Sequence, residues 1–427
     1  MDFGLSEDQL LLKDTVKRFL AEQCPTTRVR QIMEGDGEMD RQLWRELAEL
    51  GVAGVIVPAA HGGLERELLD LALVAEELGY GATPGPFLGA AMATVALVEG
   101  GDAPLQQRWL PAFAAGDAIG TVAWGEEQSE WTPERLRTTA KGNRISGRKL
   151  LVPAAQIADA LIVAARDADG VGLWLVERGA PGLEIASLTV NDLTRRLDSV
   201  SFADTPAVRL PHGAAALQRV FDAGLILVAA DAYGGSHRCL EMASSYALTR
   251  EQFGQPIGAF QAVKHQLANM AADLEPSLAL VWYSAHAFDH MKEQSTRHAA
   301  IVKAHMSDLY DRVTRDATEL HGGIGFTWEF DLHLWFRRAL FDRSILGESS
   351  KPISASTNNR GMSASARRKI ATAQRARWAR LRRSKAATRS AKPARTTAKS
   401  ATTASANARR SAKLKAYWAA KKRRGSK

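Results

Sequence analysis

Two stretches of the chain decide its fold. The first motif, YALTREQFGQPIGAFQAVKHQLANM, covers residues 246–270, and the second motif, ELHGGIGFTWEFDLHLWFRRA, covers residues 319–339. Apolar residues around both motifs recur at helical spacing in long segments joined by short turns, at residues 214–250, 260–275, 280–292 and 296–320. This pattern predicts an antiparallel bundle of four helices.

The N-terminal third of the chain shows further helix signals. Ser6 and Gln9 match the capping box that precedes a helix, and Asp40 can cap a second one. An apolar run over residues 68–78 predicts a third helix that ends at Gly79. The sequence therefore predicts a helical N-terminal domain.

Between these two helical parts the pattern changes to short β-rich runs, at residues 144–152, 160–166, 172–177 and 196–202. The second and third runs are joined by Asp-Ala-Asp-Gly, which is a hairpin signal. We therefore expect a small β domain in the middle of the chain. The predicted domains are an N-terminal helical domain at 1–117, a middle β domain at 118–212, a helical bundle at 213–348 and a tail at 349–427.

The composition describes an acidic body with a basic tail. The chain has 427 residues, with 56 Lys and Arg against 47 Asp and Glu, and 24 of the basic residues but none of the acidic ones lie after Ser350. Residues 1–350 therefore carry 32 basic and 47 acidic residues, which is a net charge of −15. With 45% hydrophobic residues, the chain can bury more than one core.

Several classes of protein are disfavoured by the sequence. Cys24 and Cys239 form no CxxC pair, and no charged and apolar leader opens the chain. The longest apolar runs, near residues 88–98 and 224–230, are shorter than the roughly 20 residues of a membrane helix. His321 has no second histidine or cysteine at ligand spacing. We therefore expect a cytoplasmic protein with no membrane partner and no metal site.

Both motifs are close to signatures of acyl-CoA dehydrogenases, and they occur in that family's order and at about its separation. The opening MDFGLSEDQLLLKDTVKRFL, the segment DRQLWRELAELGVAGVIVP with the HGGL that follows, and LVAEELG at residues 73–79 also resemble the family's N-terminal domain. The resemblance covers roughly residues 1–348.

The resemblance implies a fold, a reaction and partners. The fold is mostly α with a β middle domain: an N-terminal helical domain, a middle β-barrel and a C-terminal four-helix bundle. The reaction is the FAD-dependent removal of two hydrogens from the α and β carbons of an acyl-CoA thioester. Such enzymes are dimers or tetramers, and they pass their electrons to an electron-transfer flavoprotein.

The resemblance also assigns residues to the cofactor. The family's arginine that contacts the FAD pyrophosphate, often across a subunit interface, corresponds to Arg250. Gln261 matches a flavin-contacting glutamine, and Gly322 and Gly323 let a backbone approach the cofactor closely. The remaining residues that the resemblance places near the cofactor are Phe253, Glu319, Thr327 and Glu329. Either of the last two could equally cap the next helix.

The catalytic base departs from the family pattern. Many members place a glutamate before a glycine at a fixed distance after the double glycine, and that position is Leu346, before Gly347. Glu348 could replace it if the loop shifts, or it could be an exposed carboxylate. Another branch places the base on the first bundle helix, where this chain has Gly224, and Asp222 lies about 200° around that helix.

Two further departures concern the cofactor. Relatives place Thr-Glu-Pro and Trp-x-Thr segments against the flavin, whereas this chain has Gly-Glu-Glu at 125–127 and Leu-Val-Pro at 151–153. Glu319 replaces a glutamine and puts a like charge near the pyrophosphate unless it is protonated or turned away. Such changes resemble actinobacterial-type dehydrogenases built from two unlike subunits. A catalytically degenerate subunit of a heteromeric dehydrogenase is therefore an alternative reading.

The tail allows one more alternative. Residues 349–427 consist mostly of Ala, Ser, Thr, Lys and Arg, which predicts disorder. Its 24 positive charges, with Trp378 and Trp418 for stacking, would bind nonspecific nucleic acid through residues 351–427. A nucleic-acid-associated protein that acts through this tail is thus the second alternative, and a solvated extension without a partner is the third.

Overall fold

The structure is a computed structural model that describes residues 4–35, 40–127 and 131–347. Glu348 and the predicted tail lie outside the described residues. The first part of the chain is helical, with α1 (Glu7–Gln23), α2 (Thr26–Glu34), α3 (Arg41–Glu49), α4 (Leu68–Tyr80), α5 (Phe87–Gly100) and α6 (Ala103–Ala115). The helical N-terminal part that the sequence predicts is confirmed.

The predicted starts of two helices are confirmed by their hydrogen bonds. The Gln9 amide donates to Ser6 Oγ at 3.2 Å, and the Ser6 amide donates to Gln9 Oε1 at 3.0 Å. At the start of α3, the Leu43 amide donates to Asp40 Oδ1 at 2.9 Å. Each cap satisfies backbone donors that the first helical turn leaves unpaired.

The predicted end of the third helix is wrong by one residue, because Gly79 is a contact residue and not a cap. The helix α4 continues through Gly79 to Tyr80. A Cβ atom on Gly79 would lie 2.0 Å from the carbonyl oxygen of Asp231, and one on Gly234 would lie 1.8 Å from that of Glu76. The two glycines therefore let α4 cross a bundle helix at backbone distance.

The middle of the chain is a single curled sheet. Its strands are β1 (Gly120–Ala123), β2 (Thr139–Lys141), β3 (Arg144–Pro153), β4 (Ala160–Asp167), β5 (Gly170–Glu177), β6 (Leu183–Ser187), β7 (Leu197–Pro206) and β8 (Val208–Arg209). Their order is β6-β7-β3-β2-β4-β5-β8, with β1 parallel to β4. The predicted hairpin is confirmed, since β4 and β5 pair antiparallel from Ala160 with Glu177 to Asp167 with Gly170.

The strand β4 shows why this sheet is apolar on both faces. Leu161 and Val163 point into the sheet's own core, whereas Ile162 and Ala164 pack in the larger core that also contains the helices. Successive side chains of a strand point to opposite faces, so a run of consecutive buried residues requires a cover on each side. The sheet therefore packs against helices while it encloses a small core of its own.

The last part of the described chain forms four helices: α7 (Gly213–Thr249), α8 (Gln261–His290), α9 (Lys292–His321) and α10 (Leu332–Ser344). A short hairpin of β9 (Glu251–Gln252) and β10 (Gln255–Pro256) joins α7 to α8. The predicted mostly helical fold with a β middle domain and a four-helix bundle is confirmed. The fourth helix is α10, which the sequence analysis does not predict, because two of the predicted segments form the single helix α8.

The predicted break between residues 275 and 280 is wrong. The helix α8 runs without interruption through Pro276. Met270, Leu274 and Val281 on both sides of the proline are buried in the common core. Apolar burial thus holds a helix together across a residue that lacks an amide donor.

The helix α7 is the central helix of the bundle. By length and composition it is the one described helix that could cross a membrane, but 67% of its most apolar window is buried inside the protein. It packs against α4, α5, α8, α9 and α10. Its apolar character is that of a core helix.

Candidate active site

The two motifs meet in space. The Tyr246 ring stacks on His321 with centroids 4.5 Å apart, and Phe330 lies 4.7 Å from the same imidazole. His321 Nδ1 is 2.7 Å from the Ala317 carbonyl oxygen, and burial lowers the pKa of His321. A neutral, packed imidazole thus joins the C-terminal end of α7 to that of α9.

Arg250 lies directly after this contact and ends α7. Its amide donates to the Tyr246 carbonyl at 2.8 Å, and its own carbonyl accepts from the Ile257 amide at 2.8 Å. The backbone of Arg250 is therefore fixed, whereas its side chain is exposed. Among the described residues, none pairs with its guanidinium. The five donors of this side chain are free for a ligand.

Phe253 lies in the turn of the hairpin that follows Arg250, and Gln261 lies after that hairpin. Phe253 has a φ of 53° and is 93% exposed, and its ring contacts Phe260 edge-on at a centroid distance of 6.1 Å. Gln261 is the first residue of α8, and its amide side chain is exposed. Both side chains are placed on the same short connection and are open to a ligand or a partner.

The double glycine of the second motif has open space beside it. Gly322 ends α9 with a φ of +62°, and no atom lies within 4 Å of a Cβ placed on Gly322 or Gly323. Only glycine takes this backbone conformation without strain. The two residues therefore present bare backbone at a surface next to the Tyr246–His321 contact.

The other predicted cofactor residues surround this turn. Glu319 is exposed in the last turn of α9, and Glu329 is exposed after the turn. Thr327 Oγ1 donates to the Ile324 carbonyl at 3.0 Å, so its hydroxyl closes the turn itself. A free guanidinium and bare backbone fit an anionic cofactor, whereas the carboxylates of Glu319 and Glu329 oppose it.

The motif surfaces also expose large apolar side chains. These are Leu248 and Phe253 from the first motif, and Ile324, Phe326 and Trp328 from the second. Among the described residues, Phe253 and Phe326, at 93% and 77% exposure, are the most exposed large apolar ones. Such a concentration of apolar surface is typical of a binding interface.

The two positions that the resemblance predicts for the base, Gly224 and Leu346, lie in contact with each other. A Cβ atom on Gly224 would lie 2.7 Å from Leu346 Cδ1 and 2.8 Å from Met92 Sδ. Leu346 has a φ of 59°, and Gly347 follows with a φ of 103°. The chain therefore has an apolar contact between α5, α7 and the loop after α10, where the resemblance predicts a carboxylate.

Asp222 is directed away from this contact and into the bundle. Its carboxylate accepts from Gln218 Nε2 at 2.8 Å, from Thr296 Oγ1 at 2.7 Å and from Ser295 Oγ at 3.2 Å. Burial raises the pKa of Asp222, and these hydrogen bonds oppose the shift. The contacts hold α7 to the first turns of α9, which favours a structural role.

Lys303 holds the loop that precedes Glu348. Its buried Nζ donates to the Arg343 carbonyl at 3.2 Å, to the Gly347 carbonyl at 3.3 Å and to Ser307 Oγ at 3.0 Å. Burial lowers the pKa of Lys303 to about 8. The sequence reasoning missed this residue, although a lysine on the apolar face of α9 is a visible signal.

The middle domain forms a wall beside the same loop. The Trp124 ring contacts that of Phe221 in a tilted arrangement, with centroids 5.2 Å apart, and its indole N–H donates to the Trp131 carbonyl at 2.8 Å. A Cβ atom on Gly347 would lie 3.9 Å from Trp131 Cδ1. Aromatic side chains thus connect the sheet, α7 and the loop after α10.

The Gly-Glu-Glu segment at residues 125–127, where relatives have Thr-Glu-Pro, stabilises the sheet through Glu126. Glu126 is buried and accepts from the Arg137 amide at 2.6 Å, from the Thr138 amide at 2.9 Å and from Lys149 Nζ at 2.8 Å. Burial alone would raise the pKa of Glu126. The Lys149 charge and these hydrogen bonds outweigh that effect, so the pKa of Glu126 is lowered. Its carboxylate is therefore committed to the sheet and is not free for a ligand.

Family models match most of the described chain. Residues 6–117 match the model described as "Acyl-CoA dehydrogenase, N-terminal domain", and residues 211–350 match "Acyl-CoA dehydrogenase, C-terminal domain". The "Acyl-CoA dehydrogenase IpdE2" of Mycolicibacterium smegmatis is 32% identical over 345 residues, which are 80% of this chain and 96% of that protein. The chain belongs to the acyl-CoA dehydrogenase family.

Solved structures of acyl-CoA dehydrogenases share the fold. A variant of the Tcur3481-Tcur3483 steroid ACAD is 30% identical, with a TM-score of 0.76 over 81% of this chain and 95% of that one. The ChsE4-ChsE5 complex from Mycobacterium tuberculosis is 27% identical, with a TM-score of 0.75 over 82% of this chain and 96% of that one. The second relative is a complex of two differently named chains.

Membership of the family confirms the predicted activity class and cofactor. The chain is an FAD-dependent oxidoreductase of the acyl-CoA dehydrogenase type. The comparisons do not favour a degenerate subunit over a dehydrogenase, and they give no support to a nucleic-acid partner. The individual roles of the site residues stay predictions.

Proposed function

We propose that this chain removes the α and β hydrogens of an acyl-CoA thioester beside the Gly224–Leu346 contact, with Glu348 as the base. The observation that carries the proposal is the convergence of both family base positions on this contact. Glu348 follows Leu346 by two residues, and Lys303 holds the intervening Gly347 carbonyl. Glu348 itself lies outside the described residues, and a carboxylate at this position in the sequence is chemically suited to accept the α proton.

We infer that the cofactor lies against both motifs. Arg250 would bind the pyrophosphate, and the bare backbone of Gly322 and Gly323 would let it approach. The proposed neighbours of the cofactor are Phe253, Gln261, Glu319, Thr327 and Glu329. When bound, FAD supplies the acceptor for the hydride that leaves the β carbon.

We propose that the exposed apolar side chains of both motifs are covered by a homologous dehydrogenase subunit, identical or not. Their exposure supports this proposal, as does the two-chain complex among the relatives. Electrons would leave through an electron-transfer flavoprotein, as the resemblance implies. The cytoplasm is the compartment that the sequence predicts for this reaction. Binding of nucleic acid through residues 351–427 remains a separate hypothesis that rests on their charge alone.

The experiment compares Glu348→Gln with Asp222→Asn in the purified full chain, with and without a co-expressed homologous subunit. Flavin absorbance is recorded before and after anaerobic addition of a panel of acyl-CoA thioesters. If Glu348 is the base, Glu348→Gln keeps its flavin, but the rate of bleaching falls by about 10²–10⁴-fold. Asp222→Asn, the matched control, bleaches within a few-fold of wild type because Asp222 contacts α9.

Three results would contradict parts of the proposal. Bleaching of Glu348→Gln at the wild-type rate would place the base elsewhere. Bound flavin that no thioester bleaches, even with the second subunit, would revive the degenerate-subunit alternative. Failure of the wild-type chain to bind flavin under either condition would contradict the assignment of Arg250 and the double glycine to the cofactor.

A further inference from the structure

We propose that Glu67, His286 and His290 form a binding site for a zinc ion where α4 meets the end of α8. The three side chains each offer one ligand atom, and these atoms all lie within 4.8 Å of one another. His290 Nε2 is already 2.9 Å from Glu67 Oε1. The site is separate from both motifs and from the Gly224–Leu346 contact.

The two histidines are arranged as a pair of ligands. They are four residues apart on α8, which places them on one face of the helix one turn apart. Their rings lie with centroids 4.3 Å apart and an angle of 29° between their planes. Bonds of about 2.0–2.1 Å to a tetrahedral zinc bring ligand atoms to roughly 3.4 Å from one another. The three side chains are exposed or half-buried, so rotation about their side-chain bonds is enough to bring the ligand atoms from within 4.8 Å to this separation.

The backbone on both sides of the site is fixed by other contacts. Asp289 Oδ2 accepts from the Leu68 amide at 2.8 Å, which ties the residue next to His290 to the residue next to Glu67. The Glu67 amide donates to Asp70 Oδ2 at 3.3 Å. A ligand set whose backbone is already in place loses less entropy when it binds an ion.

The chemistry of the ligands selects the ion. Two imidazoles and one carboxylate are the donors that zinc and its transition-metal neighbours prefer, whereas calcium and magnesium prefer oxygen ligands alone. Three protein ligands leave a fourth position for water. Glu67 and Asp289, which precedes His290 in the chain, supply the negative charge that a dication needs. The ion would link the N-terminal helical part of the chain to the bundle.

The sequence predicts no metal site, and the reason is the distance between its ligands. The spacing His286-Ala-Phe-Asp-His290 is visible in the sequence, but Glu67 is far away along the chain. Only the docking of α4 on α8 brings the carboxylate to the histidine pair.

The test uses the full chain after chelator treatment and measures uptake of Zn²⁺ alone by equilibrium dialysis. His286→Ala and His290→Ala remove one ligand each. His265→Ala is the matched control, because His265 is an exposed histidine on the same helix. We expect wild type and His265→Ala to bind one zinc ion more per chain than the double variant His286→Ala/His290→Ala. Each single ligand variant binds that ion at least tenfold more weakly.

A second readout is the zinc-dependent rise in the melting temperature, which does not depend on flavin or on activity. Wild type and His265→Ala gain a rise that the ligand variants lose, because only binding to the folded state stabilises it. Equal zinc uptake by wild type and the double variant would overturn the proposal, as would loss of uptake in His265→Ala alone. If an alanine variant fails to fold, Glu67→Gln at an exposed position gives the same comparison.

Discussion

At the scale of single residues, two buried charges of this protein, Lys303 and Glu126, hold backbone groups in place. Lys303 donates to the carbonyls of Arg343 and Gly347, so one ammonium group fixes the end of α10 and the loop after it. Glu126 accepts two backbone amides as well as the Lys149 ammonium. Each charge is retained because its removal would leave buried polar groups without partners.

Lys303 gives a pH-dependent prediction. Burial lowers its pKa in the folded protein from 10.5 to about 8. The folded protein therefore releases this proton near pH 8, whereas the unfolded chain keeps it to about pH 10.5, so Lys303 favours folding increasingly as pH rises between these values. Relative to Lys303→Met, wild type should gain roughly 1–3 kcal/mol of unfolding free energy between pH 7 and pH 9.5.

The measurement is denaturant unfolding of both proteins at the two pH values. Other titrating groups are shared by wild type and Lys303→Met, so they cancel in the difference. A difference that stays constant between the two pH values would show that Lys303 keeps its proton in the folded protein.

At the scale of secondary-structure elements, tertiary packing overrides local preference in α8. Pro276 lies inside the helix, where it removes one backbone hydrogen bond and is incompatible with the ideal geometry of the preceding turn. Buried residues on both sides compensate for this loss. The break that local signals predict is therefore absent.

Replacement of this proline should stabilise the bundle. In Pro276→Ala the amide regains its hydrogen bond, and the helix gains on the order of 1–3 kcal/mol of intrinsic preference. The urea midpoint of unfolding should rise, with an unchanged slope. Pro111→Ala, at the helical interior of α6, is a comparison in a second helix. Pro276 is exposed, so its ring makes no core contact that the substitution would remove. A fall in the midpoint for Pro276→Ala would therefore contradict the prediction.

At the scale of the whole molecule, a buried ion cluster joins the three parts of the described chain. Arg338 on α10 pairs with Asp192 at 2.7 Å and with Asp231 on α7 at 3.2 Å, and it donates to the Thr83 carbonyl at 3.2 Å. Arg195 pairs with the same Asp231 at 2.6 Å. The N-terminal helices, the segment between β6 and β7, and two bundle helices therefore meet at one group of charges.

Two aspartates of this cluster should respond differently to the same substitution. Burial and the charge of Asp231 raise the pKa of Asp342 well above its usual value, which favours its protonated form, and we expect it to be neutral at pH 7. The charges of Arg338 and Arg195 lower the pKa of Asp231 against the opposing effect of burial, so Asp231 is ionised. Asp342→Asn replaces a neutral group, so it should lower the unfolding free energy by less than about 1 kcal/mol. Asp231→Asn removes the negative charge that pairs with Arg195 and Arg338, so it should lower the unfolding free energy by about 3–5 kcal/mol.

The comparison is made by unfolding of the two variants in urea at pH 7. Asp342→Asn serves as the control, because it alters the same cluster without removing a charge. An equal loss of stability in both variants would show that Asp342 is ionised at neutral pH.

The sequence by itself determined the helix caps, the β4–β5 hairpin, the family and its cofactor. Caps and tight turns depend on residues within a few positions of one another, so Ser6, Asp40 and the Asp-Ala-Asp-Gly turn could be predicted directly. The motifs at residues 246–270 and 319–339 indicated the family. The domain boundaries and the roles of the cofactor residues remain predictions, and residues 348–427 lie outside the described structure.

Only the tertiary structure decided which distant residues face one another. Gly224 meets Leu346, Asp222 turns toward Ser295 and Thr296, and Glu67 meets His290. Local sequence signals report the conformation of a few neighbouring residues, whereas these contacts depend on how whole helices dock. The physical reason is that burial of apolar surface sets the docking, and it is summed over many residues rather than encoded at any one of them.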